Sequence, residues 1–164
     1  PFKFETGTLN HEGIAGAAAA INYLAEVGRT CGADFADKCK NFSGRSLHLK
    51  MAMAAIQNYE RQFSEKLIAG IQALPGAKIF GITESSRLLQ RTPTVSFRMQ
   101  QHPPSAIAER LGRENIYVWD GNFYALEVTK RLGVEEQGGI VRIGLVHYNT
   151  EAEIARCLRV LQEL

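Results

Sequence analysis

The sequence predicts an α+β fold, with one small sheet covered by helices and approached through two longer helices. Three observations predict it. From residue 77 onward, short β-branched or aromatic runs alternate with helical periods in the order β-β-α-β-α-β-α. Before Pro75-Gly76 lie two stretches of helical character. The stretch GGIVRIGLVHYNTEAEI, residues 138–154, reads as strand, turn and helix start. Its apolar run is Ile140, Val141, Ile143, Leu145 and Val146, and Thr150 with Glu153 three residues on makes a capping-box signature.

Taken in order, residues 1–8 are expected to be extended or irregular. Asn10 is a good N-cap for a helix from about His11 to Val27, and Glu12 suits its first turn. This helix is rich in alanine and glycine, so another backbone can approach closely and the helix is expected to be buried. Gly28 is its expected C-cap. Residues 29–44 have no clear period and read as a loop with one helical turn at most. Ser46 then opens a long amphipathic helix over residues 46–74, carried by Leu49, Met53, Ile56, Phe63, Leu67, Ile71 and Leu74. A helix of this length bridges two bodies, which places a domain boundary inside it or at its end.

Ala77–Ile82 is expected to be a strand, Thr83–Thr92 a polar loop, and Pro93–Met99 a strand with Val95 and Phe97 alternating. Pro103-Pro104 opens a helix to Leu111 that Gly112 stops. Ile116–Trp119 is expected to be a strand, Asp120-Gly121 a turn, and Phe123–Leu132 a helix. The last helix sets Ile154, Cys157, Leu158 and Leu161 on one face.

Composition bounds the function classes. The formal charge of +2 gives no electrostatic case for nucleic acid. No run approaches the ~18 consecutive apolar residues of a membrane span, and PFKFETGT is not a signal-peptide pattern. The chain does not begin with Met, as expected of a cut or processed start. Three cysteines, Cys31, Cys39 and Cys157, point to a reducing, cytoplasmic compartment rather than a disulfide framework. Cys31, Cys39 and His48 do not stand at a zinc spacing, so no metal site is expected.

Arg142 is the residue that asks for an explanation. A cation inside an apolar strand is costly unless an anion or water meets it. Its partner is either an internal carboxylate or solvent at a sheet edge, or the carboxylate of a ligand, which the planar guanidinium binds in a bidentate way. Gly7-Thr8 before a helix start either holds a phosphate or serves ordinary capping. The turn Trp119-Asp120-Gly121-Asn122-Phe123-Tyr124 either lines a cleft or is a hydrophobic plug. His147 is either an acid–base group or a structural histidine.

Four segments together resemble the C-terminal part of class V aminotransferase-type, pyridoxal-phosphate enzymes, and more narrowly their cysteine desulfurase-like branch, an α/β superfamily. They are Phe4-Glu5-Thr6-Gly7-Thr8, Arg91-Thr92-Pro93-Thr94-Val95-Ser96-Phe97, Val118-Trp119-Asp120-Gly121-Asn122-Phe123-Tyr124-Ala125, and Val141-Arg142-Ile143-Gly144 with His147-Tyr148-Asn149-Thr150-Glu151. They span nearly the whole chain in the family's order. The resemblance implies that Gly7 and Thr8 approach the phosphate of a cofactor bound in the partner subunit of a homodimer. It implies that Arg142 binds the carboxylate of an amino-acid substrate, with Asn122 and Tyr124 in the same site. It also implies that residues 1–74 are a leader, a helix and a connecting helix of the large cofactor domain, and that residues 75–164 form the small C-terminal domain.

Two departures shape the expected activity. The family's Schiff-base lysine precedes the Phe-Glu-Thr-Gly-Thr segment, and none of Lys3, Lys38, Lys40, Lys50, Lys66, Lys78 and Lys130 has its context. This chain alone is therefore expected to bind no pyridoxal phosphate and to be inactive, with no catalytic residue of its own. Desulfurases carry a nucleophilic cysteine in a Gly-His-His-Cys-Ala loop. Here the stretch is Gly121-Asn122-Phe123-Tyr124-Ala125, with Tyr124 at the cysteine position, so the complete enzyme need not be a desulfurase and could be another lyase, epimerase or transaminase. The alternative is a stand-alone, non-catalytic interaction or regulatory module that retains the small-domain fold.

Overall fold

The computed structural model describes residues 3–5 and 7–164. Pro1, Phe2 and Thr6, which belong to the expected irregular leader and its Phe-Glu-Thr-Gly-Thr segment, lie outside the described residues. The chain divides into two compact units, one ending at Asn58 and one beginning at Tyr59. The division falls within a single helix, α2 (Gly44–Gln72). Among the described residues no helix is long and apolar enough to cross a membrane.

The first unit is built on α1 (His11–Cys31). The Asn10 side chain accepts a hydrogen bond from the Gly13 N–H, which satisfies one of the donors left over at a helix start. The helix does not stop at Gly28. It runs a further turn and is capped at Gly32. Gly28 serves another purpose there: a Cβ on it would stand 1.8 Å from the carbonyl oxygen of His48 in α2. The missing side chain lets two backbones cross at contact distance, so a residue that reads as a stop is a packing residue. From His11 to Tyr23 the helix is exposed in this chain, contrary to the burial its small residues suggest, and Ala25 and Gly28 are its buried positions. Between α1 and α2 the expected loop contains two short 3₁₀ turns, Ala33–Phe35 and Asp37–Cys39.

The second unit holds the sheet. Its strands are β1 (Ala77–Phe80), β2 (Val95–Met99), β3 (Trp119–Gly121) and β4 (Ile140–Ile143). Their spatial order is β1-β2-β4-β3, with every pair antiparallel. The element order from β1 onward is the predicted one, with α3 (Pro104–Arg113), α4 (Leu126–Arg131) and α5 (Glu151–Gln162) in their expected places. Phe97 pairs with Val141 and Val95 with Ile143, so these four side chains share one face. That face joins Leu67 and Ile71 of α2, Ile107 and Leu111 of α3, and Val160 and Leu161 of α5 in one hydrophobic cluster. The opposite face carries Ser96, Arg98, Arg142 and Trp119, because successive strand residues point to opposite sides.

Five local expectations shift. Gly112 lies inside α3, and the left-handed position that ends the helix is taken by Asn115, at φ 56°. The polar loop after β1 contains a 3₁₀ segment, Ser85–Gln90, that buries Leu88. β3 begins at Trp119, with Ile116 and Val118 packed against the core as an unpaired lead-in. Asp120-Gly121 is therefore strand, paired with Val141 and Ile140, and the chain turns one step later. Gly121 itself has open space around it at φ 99°, and the glycine that proximity requires is its neighbour Gly139, where a Cβ would stand 2.2 Å from the Gly121 carbonyl oxygen. The displaced turn leaves only Leu126–Arg131 as α4.

Candidate functional site

Arg142 sits mid-strand in β4, between Ser96 of β2 and Trp119 of β3. Among the described residues its guanidinium has neither a carboxylate nor a hydrogen-bond acceptor. It meets two aromatic rings instead, with its central carbon 4.5 Å from the Phe123 ring centroid and 5.7 Å from that of Trp119. The other two arginines at this sheet differ. Arg91 donates to the carbonyls of Thr92 (3.1 Å), Thr94 (2.7 Å) and Ile82. Arg98 donates to the carbonyls of Gln137 (3.1 Å) and Gly139. Among the described residues, the internal carboxylate that would account for Arg142 is not at its side.

The loop after β3 brings Phe123 to Arg142. Phe123 and Tyr124 both have left-handed backbone, at φ 55° and 61°. Each costs on the order of 1–3 kcal/mol for a residue with a side chain, so the surroundings must enforce it. Asn122 does so from three atoms. Its side-chain oxygen accepts from the Tyr124 N–H (3.1 Å), its carbonyl accepts from the Ala125 N–H (2.7 Å), and its side-chain nitrogen donates to Glu135 (3.1 Å). The second oxygen of Glu135 accepts from the hydroxyl of Thr129, which is fully buried. The Thr129 hydroxyl, and after it Asn122, holds the Glu135 carboxyl below the usual carboxylate range. Tyr124 points outward and is 96% exposed.

The segment after β4 is fastened to the second half of α2. Tyr59 donates from its hydroxyl to the Asn149 carbonyl (2.9 Å), and Lys66 pairs with Glu151. The Glu60 carboxylate stands 4.0 Å from His147 Nδ1. Burial pushes the Glu60 carboxyl up, against the pull of the His147 charge and backbone N–H. Asn149 accepts from the Val146 N–H (2.9 Å). The Thr150–Glu153 capping box forms with both its hydrogen bonds. His147 thus has a partner in α2, and Tyr148 meets its ring edge-on at 5.3 Å.

Gly7 and Thr8, in the first unit, are exposed and precede the start of α1. A Cβ on Gly7 would meet nothing within 4 Å. Open space and a nearby helix start leave room there for an anionic group. The thiols are distributed elsewhere: Cys31 is exposed, Cys39 is buried, and burial pushes the Cys157 thiol up to about 11. Among the described residues no cluster of His, Cys, Asp or Glu is placed to hold a metal ion.

The resemblance implied one site for Arg142, Asn122 and Tyr124; Arg142 lies on β4, and Asn122 and Tyr124 lie on the loop that follows β3, the strand paired to β4. Sequence reasoning did not foresee Trp119 and Phe123 as the neighbours of the Arg142 guanidinium, nor Glu135 behind Asn122. An unpaired strand arginine and a tryptophan at the head of another strand were the only signals of that pairing.

Comparison with known proteins gives a consistent picture. The model of the Aminotransferase class-V family matches residues 44–157. An uncharacterized protein of Mycobacterium tuberculosis is 28% identical over all of this chain and 37% of its own length. A probable cysteine desulfurase of Methanothermobacter thermautotrophicus is 27% identical over all of this chain and 34% of its own length. Among solved structures, the cysteine desulfurase CsdA from Escherichia coli superposes with a TM-score of 0.71 at 19% identity, covering 99% of this chain and 32% of that one. The chain thus spans about a third of the length of these relatives.

Proposed function

The chain belongs to the class-V aminotransferase family, and we propose that it is the C-terminal portion of a dimeric, cytoplasmic, pyridoxal-phosphate-dependent enzyme acting on an amino acid. The observation that carries this reading is Arg142, a guanidinium on a sheet face with its donors unengaged. Two charge-assisted hydrogen bonds to one carboxylate, at about 1.5–3 kcal/mol each, make it an anchor for the α-carboxylate of an amino acid. Tyr124 is carried, exposed, on the same loop as Phe123, and Asn122 acts in the site by shaping that loop.

Gly7 and Thr8 would hold the phosphate of a cofactor bound in a second subunit. When bound, pyridoxal phosphate supplies an electron sink for the substrate's Cα. This chain's own residues orient the substrate against it. Residues 1–74 serve as leader and connection to the large domain, and residues 75–164 as the small domain.

The sulfur chemistry of a desulfurase has no obvious acceptor. Tyr124 stands in the loop where a nucleophilic cysteine is needed, and Cys157 is a buried thiol with its pKa pushed to about 11. The reading therefore favours an amino-acid lyase, epimerase or transaminase over persulfide formation at this loop. Labelling with a thiol reagent at neutral pH tests the point. Cys31 is expected to react fast, with Cys157 protected until the chain unfolds. A fast-reacting Cys157 would reopen the sulfur route.

None of the lysines has the context of a cofactor anchor, so the chain by itself is expected to be inactive. Adding pyridoxal phosphate, reducing with borohydride and measuring the intact mass tests this. Scattered, substoichiometric modification supports the reading. One stoichiometric adduct on one lysine would show that the chain carries its own anchor.

A further inference from the structure

We propose that Trp119 and Phe123 are positioning residues that hold the Arg142 guanidinium in one orientation, and that Glu135, acting through Asn122, holds the loop that delivers Phe123. This rests on the reading that Arg142 meets a carboxylate, and adds to it the question of what keeps the arginine aimed when no carboxylate is present. An arginine side chain gives up rotamer entropy when it is fixed. If binding alone fixed it, that cost would come out of the affinity.

The structure supplies another source of order. Trp119 is the direct cross-strand partner of Arg142, so its ring arises from a strand already paired to β4. Phe123 comes from a loop that adopts two successive left-handed residues to bring its ring within 4.5 Å of the guanidinium. Backbone of this kind persists only where neighbours over-determine it. Here they form an unbroken chain from buried Thr129 to Glu135, to Asn122, to the Tyr124 N–H. Glu135 lies 13 residues from Asn122 in sequence and contributes both carboxylate oxygens. The aromatic contacts hold the cation while its N–H groups remain without an acceptor, which is the state an incoming carboxylate requires.

Trp119 is the single tryptophan of the chain, so its emission reports this site alone. The experiment titrates the chain with L-alanine, with L-alanine methyl ester as the control that lacks a carboxylate. Trp119 emission and the NMR order parameter of the Arg142 Nε–H are followed in wild type and in Phe123→Leu, Phe123→Tyr, Glu135→Gln and Arg142→Ala. The expected result is a saturable response to alanine in wild type that Arg142→Ala abolishes. Phe123→Leu is expected to lower the order parameter without ligand and to weaken binding about 3- to 10-fold. Phe123→Tyr should restore both, and Glu135→Gln should fall between wild type and Phe123→Leu.

A structural role alone would lower the melting temperature while leaving the affinity and the Arg142 order parameter of the folded protein unchanged. That result in Phe123→Leu overturns the proposal and leaves the carboxylate reading of Arg142 standing. No alanine response in wild type, or one that Arg142→Ala does not alter, overturns the carboxylate reading itself. The order parameter needs no ligand, so it tests the clamp in that case too.

Discussion

Arg98 and Arg142 stand on the same face of one sheet, on neighbouring strands, and are held in opposite ways. Arg98 reaches the carbonyls of Gln137 and Gly139 and so ties β2 to the turn that leads into β4. Arg142 reaches no acceptor among the described residues and rests against Phe123 and Trp119. Residue type, strand context and half-buried environment are the same. What differs is whether the protein provides oxygen atoms for the guanidinium. Where it does, the arginine belongs to the fold. Where it provides aromatic rings, the cation is held and its donors remain for something else.

The corner that Arg98 serves should be the more fragile of the two. Gly139→Ala is the strongest way to break it. The added Cβ would sit 2.2 Å from the Gly121 carbonyl oxygen, a backbone atom with little freedom to move, on a residue at φ 76°. A loss of roughly 3–5 kcal/mol is expected, read as a lower urea midpoint. Gly133→Ala is the control. It is also left-handed, at φ 70°, but has open space around it. It should cost only about 1–2 kcal/mol, the price of the backbone conformation. Equal losses at the two positions would show that β3 does not depend on the close approach to Gly139.

Replacing each arginine by methionine compares them directly. Arg98→Met leaves two carbonyls without their donor and is expected to cost about 1.5–3 kcal/mol. Arg142→Met removes only aromatic contacts and a cation without an anion, and should stay within about 1 kcal/mol of wild type. Equilibrium urea unfolding with tyrosine and tryptophan emission would measure both. The comparison fails if Arg142→Met is the more damaging, since Arg142 would then be a structural residue.

Much of this architecture was legible in the sequence because its signals are local. The Thr150–Glu153 capping box, the Asn10 cap and the spacing of Leu67 and Ile71 act within a few residues, and the structure contains each. Several of the misread positions were glycines. Gly28 and Gly121 carry the usual marks of a stop and a turn, yet Gly28 admits the His48 carbonyl and Gly121 lies beside Gly139. Sequence reports that a glycine is there, and only the fold reports what comes close to it. The site was half legible for the same reason. Arg142 is conspicuous within its own strand. Its pairing with Trp119 depends on the order β2-β4-β3, which brings together residues 23 positions apart without any local mark.

The smallest effect separates the two ends of the Arg142 strand by pH. Glu135 supports the loop beside β3, and its carboxyl is held low by Thr129 and then Asn122. A carboxyl with a lower pKa in the folded state binds fewer protons there. Its contribution is complete above the unfolded value, near 4.3, and is lost as pH falls through the folded value. Glu60 supports the segment beyond β4 and has the opposite sign, because burial raises its carboxyl. As pH falls through that raised value the folded state takes up a proton first, and stability rises. Glu153 in the capping box is also held low, so a melting temperature would mix several carboxyls. Trp119 emission is local and avoids the mixture. It should shift in acid at a pH below the ordinary glutamate range while far-UV circular dichroism still reports folded helices, and Glu135→Gln should remove the step. If the step persists in Glu135→Gln, the Phe123 loop is held by its own turn rather than by the carboxylate. The contrast with Arg98 would then rest on Trp119 alone.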